Sequence, residues 1–258
     1  MSDSEALNLE KAYKSYVGPG NRYDFMGATQ FRLLTTLGLR QHHKLLDFGC
    51  GSLRAGKLLI PYLAESNYFG IEPNKWLVEE GLANELGNGI LAAKQPTFMH
   101  NDDFEIRFPT KFDFIVAQSI FSHTNRELTT KGIRSITQAL NPGGRALVTF
   151  VESIRNYSGA ESWLYPGCTH YNRRTISRIL KEAGAYWRRL PWFHPAQTWY
   201  LITREKHHLP SRYSCFFLLG GEEVGSKQYK HQSFLGNRMI SAVKPYLGFL
   251  ARVSERWK

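Results

Sequence analysis

Cysteine is scarce in this sequence. The three present, Cys50, Cys168 and Cys215, are odd in number and far apart. That predicts a reducing compartment and no disulfide framework. No CxxC pair and no HExxH run occurs, so the ligand spacing of a structural zinc site or a zinc protease is missing and no metal is expected. Long apolar runs are absent too. Stretches such as Cys215 to Leu219 fall far short of the roughly 20 residues that cross a bilayer. The first residues, MSDSEALNLEKAYKSY, are polar, which predicts no signal peptide and a cytoplasmic protein. Internal repeats and low-complexity stretches are also lacking.

Acidic residues are few where basic ones are many. The 258-residue chain carries 33 Lys and Arg against 22 Asp and Glu, a net charge of +11. Residues 1–153 hold 16 of each sign, so the whole excess falls in residues 154–258, with 17 basic and 6 acidic side chains. Such a block suits an anionic partner, whether a phosphorylated small molecule, nucleic acid or a membrane surface; it equally suits a solvated face with no partner. Hydrophobic residues make up 42% and aromatics 14%, enough for a core and too much for a disordered chain.

Apolar periodicity predicts alternating elements from residue 28 onward. Residues 28–38 read as a helix closed by Gly38. Strands are expected at Lys44–Phe48, Tyr68–Ile71, Thr97–Met99, Phe112–Ala117 and Arg145–Val151. Helices are expected at Leu53–Leu63, Lys75–Leu86, Arg126–Leu140 and Arg173–Ala183. Two further strands, Trp187–Leu190 and Thr198–Thr203, close the pattern. The turn Asn141-Pro142-Gly143-Gly144 stops one helix, and Pro61 shortens or kinks another. Strand–helix alternation predicts an α/β fold, a Rossmann-like doubly wound sheet of about seven mostly parallel strands with helices on both faces. Its ligands bind beyond the carboxyl ends of the strands. That directs attention to residues 47–54, 72–74, 101–104 and 117–123. The chain divides into an N-terminal helical segment or lid (1–43), a core domain (44–203) and a basic, partly helical extension (204–258). Within the extension, residues 233–258 place Met239, Ile240, Val243, Leu247, Leu250, Val253 and Trp257 at helical spacing. They read as a helix docked on the parent domain or as a peripheral membrane contact.

The informative stretch is Leu45-Leu46-Asp47-Phe48-Gly49-Cys50-Gly51-Ser52-Leu53-Arg54. A strand runs into a glycine turn and then a helix. Gly49 and Gly51 allow a tight turn and close backbone approach to a ligand. Glu72 ends the next strand, where a carboxylate can accept hydrogen bonds from a ribose diol. A dinucleotide fingerprint wants a third glycine where Arg54 stands, and its pyrophosphate gains nothing from Asp47. S-adenosylmethionine, a cationic sulfonium with a free amino group and no phosphate, suits these acids better.

Asp47-x-Gly49-x-Gly51, Glu72, Asp102-Asp103 and the Pro142-Gly143-Gly144 turn resemble the class I S-adenosylmethionine-dependent methyltransferases, over about residues 22–203. The glycine-turn helix and YFGIEPN look like those of bacterial small-molecule and glycan methyltransferases. The resemblance implies S-adenosylmethionine as cofactor and S-adenosylhomocysteine as product. It implies that Asp47, Gly49 and Gly51 line the methionine and ribose portion and that Glu72 holds the ribose hydroxyls. Asp102 or Asp103 would meet the adenine amino group, with Phe104 packing on the ring, and Gln118 and Ser119 would lie beside the methyl group.

A hydroxyl acceptor needs its proton removed by a base within hydrogen-bond reach. His123, after the fourth strand, and His194, between the last two, are the candidates for this role; His170 and Tyr171 suit a turn or cap. Tyr157, Trp163, Tyr165, Trp187, Trp192, Phe193 and Trp199 are available to wall an acceptor pocket or to pack in the core. Tyr23 and Phe25 are candidates for a lid. The expected reaction is methyl transfer to a small molecule or glycan, at oxygen. An RNA methyltransferase using the basic block is the alternative, along with a non-catalytic S-adenosylmethionine-binding module. The Asn/Asp-Pro-Pro-aromatic motif of amino-methylating nucleic-acid enzymes is replaced here by Ala117-Gln118-Ser119-Ile120-Phe121, and no cysteine follows a proline. The case for nucleic acid therefore rests on charge alone.

Overall fold

The structure is a computed structural model that describes residues 12–157, 159, 161–216 and 218. The chain divides into two compact units, Met1–Val224 and Gly225–Lys258. The second unit lies outside the described residues, and with it the amphipathic stretch expected at 233–258.

Eight strands are described: β1 (Leu45–Phe48), β2 (Tyr68–Ile71), β3 (Thr97–Met99), β4 (Phe112–Ala117), β5 (Leu140–Glu152), β6 (His170–Tyr171), β7 (Tyr186–Leu190) and β8 (Thr198–Thr203). The helices are α1 (Tyr23–Thr36), α2 (Gly56–Tyr62), α3 (Lys75–Glu85), α4 (Asn88–Lys94), α5 (Arg126–Ala139), α6 (Arg173–Glu182) and α7 (Arg212–Phe216). The sheet runs β3-β2-β1-β4-β5-β8-β7, with β6 paired to β5. Strands β1 to β5 pair in parallel, and β8 runs antiparallel to both neighbours. The order reverses at β1, so the ends of β1 and β4 open the crevice in which doubly wound sheets bind ligands. The expected Rossmann-like α/β fold is found, with one strand more than the seven foreseen.

Alternation along the strands sends side chains to two cores. Leu46, Phe48, Ile115, Ala117, Val148 and Phe150 face α5 and α6 through Ile133, Ile136, Ile176 and Ile179. Leu45, Phe114, Val116, Leu147, Trp199 and Leu201 face α1, α2 and α3 through Leu33, Leu34, Leu59 and Val78. Asn125 and Asn172 cap α5 and α6, accepting from the N–H groups of Leu128 and Thr175, each worth about 1 kcal/mol.

Several boundaries differ from the sequence pattern. Helix α1 begins at Tyr23, not residue 28, so Tyr23 and Phe25 lie in its first turn rather than before it. Residues 52–55 form a turn, and α2 starts only at Gly56. Strand β5 runs back through the Pro142-Gly143-Gly144 turn to Leu140, with a register shift opposite Phe112 and Phe114. His170 and Tyr171 form β6 and leave capping to Asn172. Helix α4 was not foreseen: it has no buried residue, so it lacks the apolar face that signals a helix. Among the described residues no helix is long and apolar enough to cross a membrane.

Candidate functional site

The turn after β1 is held open by two glycines. Gly49 has φ +80° and Gly51 φ +54°, which side chains other than hydrogen rarely adopt. The N–H groups of Gly49 and Cys50 both donate to the Ile71 carbonyl, at 2.8 and 3.0 Å. This ties the turn to the end of β2. A Cβ on Gly49 would lie 2.0 Å from Ile120 Cδ1, and one on Gly51 would lie 2.6 Å from Val17 Cγ1. The post-β4 loop and the N-terminal segment therefore both close on this turn.

Two buried carboxylates flank it. Asp47 accepts from the Tyr68 hydroxyl at 3.0 Å, and burial pushes its carboxyl up to about 7. Glu72 Oε2 accepts from Gly51 N–H at 3.0 Å, while Oε1 takes the backbone and side-chain N–H groups of Asn74. Burial raises Glu72 above the usual carboxylate range, and those bonds oppose the rise. Each carboxylate oxygen offers two acceptor positions; Oε1 is filled, and Oε2 keeps one.

The acidic pair after β3 separates into two roles. Asp103 accepts from Glu105 N–H at 2.9 Å and also binds Asn101 and Arg107. These bonds, first among them the one from Glu105, hold its carboxyl down at about 2. Asp103 is thus committed to its own loop. Asp102 is exposed and makes no hydrogen bond or ion pair among the described residues, which leaves it available to a ligand. Phe104 is buried among Phe48, Phe121 and Trp163, at ring separations of 5.3, 6.0 and 5.2 Å. Its ring occupies a core position. Gly132 keeps α5 close to it: a Cβ there would sit 2.8 Å from Phe104.

After β4, Gln118 is buried with its Oε1 unpartnered. Ser119 has φ +63° and donates its N–H to Thr149 Oγ1 at 2.8 Å. Leu53, Phe104 and Ser119, all non-glycine residues at positive φ, stand just beyond the ends of β1, β3 and β4. Backbone strain of this kind collects where a fold serves a ligand. Gln197, from the β7–β8 loop, donates to Ser119 Oγ at 2.9 Å, and its own Oε1 is buried and unpartnered.

The two histidines are held in opposite ways. His123 Nδ1 lies 2.7 Å from the Gly167 carbonyl. A carbonyl only accepts, so Nδ1 carries the proton and Nε2 of the neutral ring is a free acceptor. His194 Nδ1 accepts from Ala196 and Gln197 N–H at 3.2 and 2.9 Å, so its proton sits on Nε2. Burial, with the Arg54 charge second, lowers it to about 4. This geometry argues against His194 as a base: its only uncommitted nitrogen is a donor.

The N-terminal residues cover this end of the sheet. Tyr16 stacks on Tyr165 at 5.6 Å and meets Trp76 edge-on at 5.4 Å. Tyr165 in turn meets His123 at 5.1 Å. Tyr16, Trp76 and Tyr165 are 39%, 41% and 53% exposed, so ring faces are open to a ligand. Of the other expected wall aromatics, Trp199 is buried core and Trp163 and Trp187 pack against the core. Tyr23 is not a lid residue: it is buried and donates to the Ser52 carbonyl at 2.6 Å. Phe25 is exposed and meets Phe193 edge-on at 5.7 Å.

Residues beyond the sequence motif also gather at this end of the sheet: Tyr68, Gln197, Tyr16, Trp76 and Arg54. Only Arg54 carried a signal in the sequence, as a charge in place of a third glycine.

Residues 46–146 match the family model described as a methyltransferase domain. Magnesium protoporphyrin IX methyltransferase from Synechocystis PCC 6803, solved with S-adenosylhomocysteine, is similar at 18% identity and TM-score 0.54. That match covers 71% of this chain and 86% of that one. An S-adenosylmethionine-dependent methyltransferase from Clostridium acetobutylicum matches at 11% identity and TM-score 0.53, covering 78% and 98%. The glycopeptide N-methyltransferase MtfA, solved with S-adenosylmethionine, matches at 14% identity and TM-score 0.53, covering 69% and 94%. The match to a methyltransferase domain thus spans residues 46–146, and the solved methyltransferases share the fold of this chain.

Proposed function

We propose that the protein transfers a methyl group from S-adenosylmethionine to a hydroxyl of a small molecule or glycan. The observation that carries this reading is the pair of buried carboxylates, Asp47 and Glu72, on either side of a glycine turn at the switch in strand order. Two acids repel a phosphate and favour a cationic, phosphate-free donor. Glu72 Oε2, with one acceptor position open, would take a ribose hydroxyl. Asp102, the uncommitted member of its pair, would take the adenine amino group. Asp47 would face the ammonium and sulfonium end. The unpartnered Oε1 of Gln118 would find a donor in the bound ligand, since buried polar atoms are otherwise paired.

The donor supplies an electrophilic methyl carbon for in-line displacement. The protein's work is alignment and exclusion of water. His123 would accept the acceptor's proton at Nε2, with Gly167 holding the ring in the required tautomer. Tyr16, Trp76 and Tyr165 would give sugar or aromatic rings a surface to stack on. His194 would serve as a donor rather than a base.

The test is transfer of labelled methyl from S-adenosylmethionine into a host-cell extract, followed by fractionation. Label in small-molecule, glycan or lipid fractions supports the reading. Label confined to RNA replaces it with RNA methylation. Donor binding with no label in any fraction makes the protein a binding module.

A further inference from the structure

The chain leaves the sheet through a tight turn on the side away from the crevice. Strand β8 ends at Thr203, beside the amino end of β5, and Lys206–His208 then form a 3₁₀ turn. Glu205 holds that turn. Its carbonyl accepts the His208 N–H at 3.2 Å and the Thr203 hydroxyl at 2.8 Å. Its carboxylate faces two imidazoles: Oε2 lies 3.4 Å from His207 Nε2 and 3.1 Å from His208 Nδ1. Ligating atoms of all three residues lie within 4.8 Å of one another, and among the described residues no other three His, Cys, Asp or Glu side chains converge so closely.

Two imidazoles and a carboxylate are a donor set for zinc. Bonds of about 2.0–2.1 Å at tetrahedral angles put neighbouring ligand atoms about 3.3 Å apart. Both separations from Glu205 are close to that length. Turning His207, whose side chain is 74% exposed, closes the remaining edge between the rings. The His208 ring is seated against Gly143, where a Cβ would lie 3.6 Å from Nε2, and this leaves Nδ1 turned to Glu205. Direct ion pairing suits the arrangement less well. It needs protonated rings, and two of these with centroids 4.0 Å apart repel each other. A metal ion takes both rings neutral.

We propose that Glu205, His207 and His208 bind a zinc ion, with water completing the tetrahedron. The three ligands come from a single turn, so they show none of the paired spacings that mark a zinc motif in sequence. The site is independent of methyl transfer. It lies at the opposite end of the sheet from Asp47 and Glu72, and its role is to lock the turn by which the chain leaves β8.

The experiment is calorimetric titration of the full chain, freed of metal by chelator, with zinc chloride. One ion per chain is expected. His207→Ala and Glu205→Gln should each weaken its binding at least tenfold. His207 is exposed, so its removal leaves the core intact, which circular dichroism checks. His42→Ala is the control: His42 and His43 are the other adjacent pair in the sequence, with ring centroids 4.3 Å apart, and this variant should bind zinc as the wild type does. Zinc should raise the melting temperature of the wild type and leave that of His207→Ala unchanged. Absence of saturable binding overturns the proposal. So does binding retained in His207→Ala and Glu205→Gln, or lost in His42→Ala, since either result assigns the ion to other residues.

Discussion

The Tyr68 hydroxyl donates to Asp47 Oδ2 at 3.0 Å, from a strand paired in parallel with the one that carries Asp47. Both residues are buried, and this bond opposes the desolvation that pushes Asp47 up to about 7. Tyr68 thereby helps decide whether the carboxylate is ionised when a cation arrives. Tyr68→Phe removes the bond and raises Asp47 further. Affinity for S-adenosylmethionine should climb with pH through about 7 in the wild type. In the variant the inflection should move to higher pH, which a titration series from pH 5.5 to 9 checks.

Asp47 should also set stability against function. Its folded-state pKa of about 7 lies above the unfolded value near 3.9. Its favourable contribution is therefore fully present below about pH 4 and is lost as the pH rises through about 7, at about 1.4 kcal/mol per pH decade. Asp47→Asn escapes that loss. The variant without ligand should melt higher than wild type at pH 8, and the gap should shrink toward pH 4. The same change should weaken the donor at least tenfold.

Glu72→Gln keeps the shape but loses the charge that would accept a ribose hydroxyl, and it unbalances the bonds to Gly51 and Asn74. Hydrogen bonds to charged groups are worth about 1.5–3 kcal/mol, so affinity for S-adenosylhomocysteine should fall by about ten- to a hundredfold. Calorimetry on the folded variant, checked by circular dichroism, measures this.

His123→Ala should lower turnover by about 10²–10⁴ while leaving donor affinity within twofold, as removal of a general base does. His194→Ala should weaken turnover far less, since its free nitrogen carries a proton. Labelled transfer at fixed donor saturation separates the two histidines. Equal losses would contradict the distinction.

Gly27→Ala tests the seat of helix α1. Its Cβ would lie 2.3 Å from a backbone oxygen that cannot rotate away. Overpacking of this kind costs about 1–3 kcal/mol, and a thermal melt should show the loss.

Much of this site is written in local sequence. The strand–glycine turn at residues 45–51, Glu72 at the end of the next strand and the strand–helix alternation each need only a few neighbouring residues; β1 to β4 fall within a residue of where the pattern puts them, while β5 starts earlier and the short parallel β6 is not in the pattern. What the pattern missed depends on distant residues meeting. Tyr68 reaches Asp47, Gln197 reaches Ser119 and Tyr16 reaches Tyr165 because the fold brings distant segments together. No spacing rule encodes that. Asp102 and Asp103 look alike in sequence, and only the Glu105 and Arg107 contacts of Asp103 tell them apart. Phe104 reads as a ligand platform in the sequence; only the fold shows its ring packed among Phe48, Phe121 and Trp163.

The most direct test of the account is equilibrium binding of S-adenosylmethionine to the intact chain, with NAD as a competitor and Glu72→Gln as a control. The account predicts a single saturable site, at least tenfold weaker in Glu72→Gln and indifferent to NAD. Absence of binding, or displacement of the donor by NAD, would contradict it.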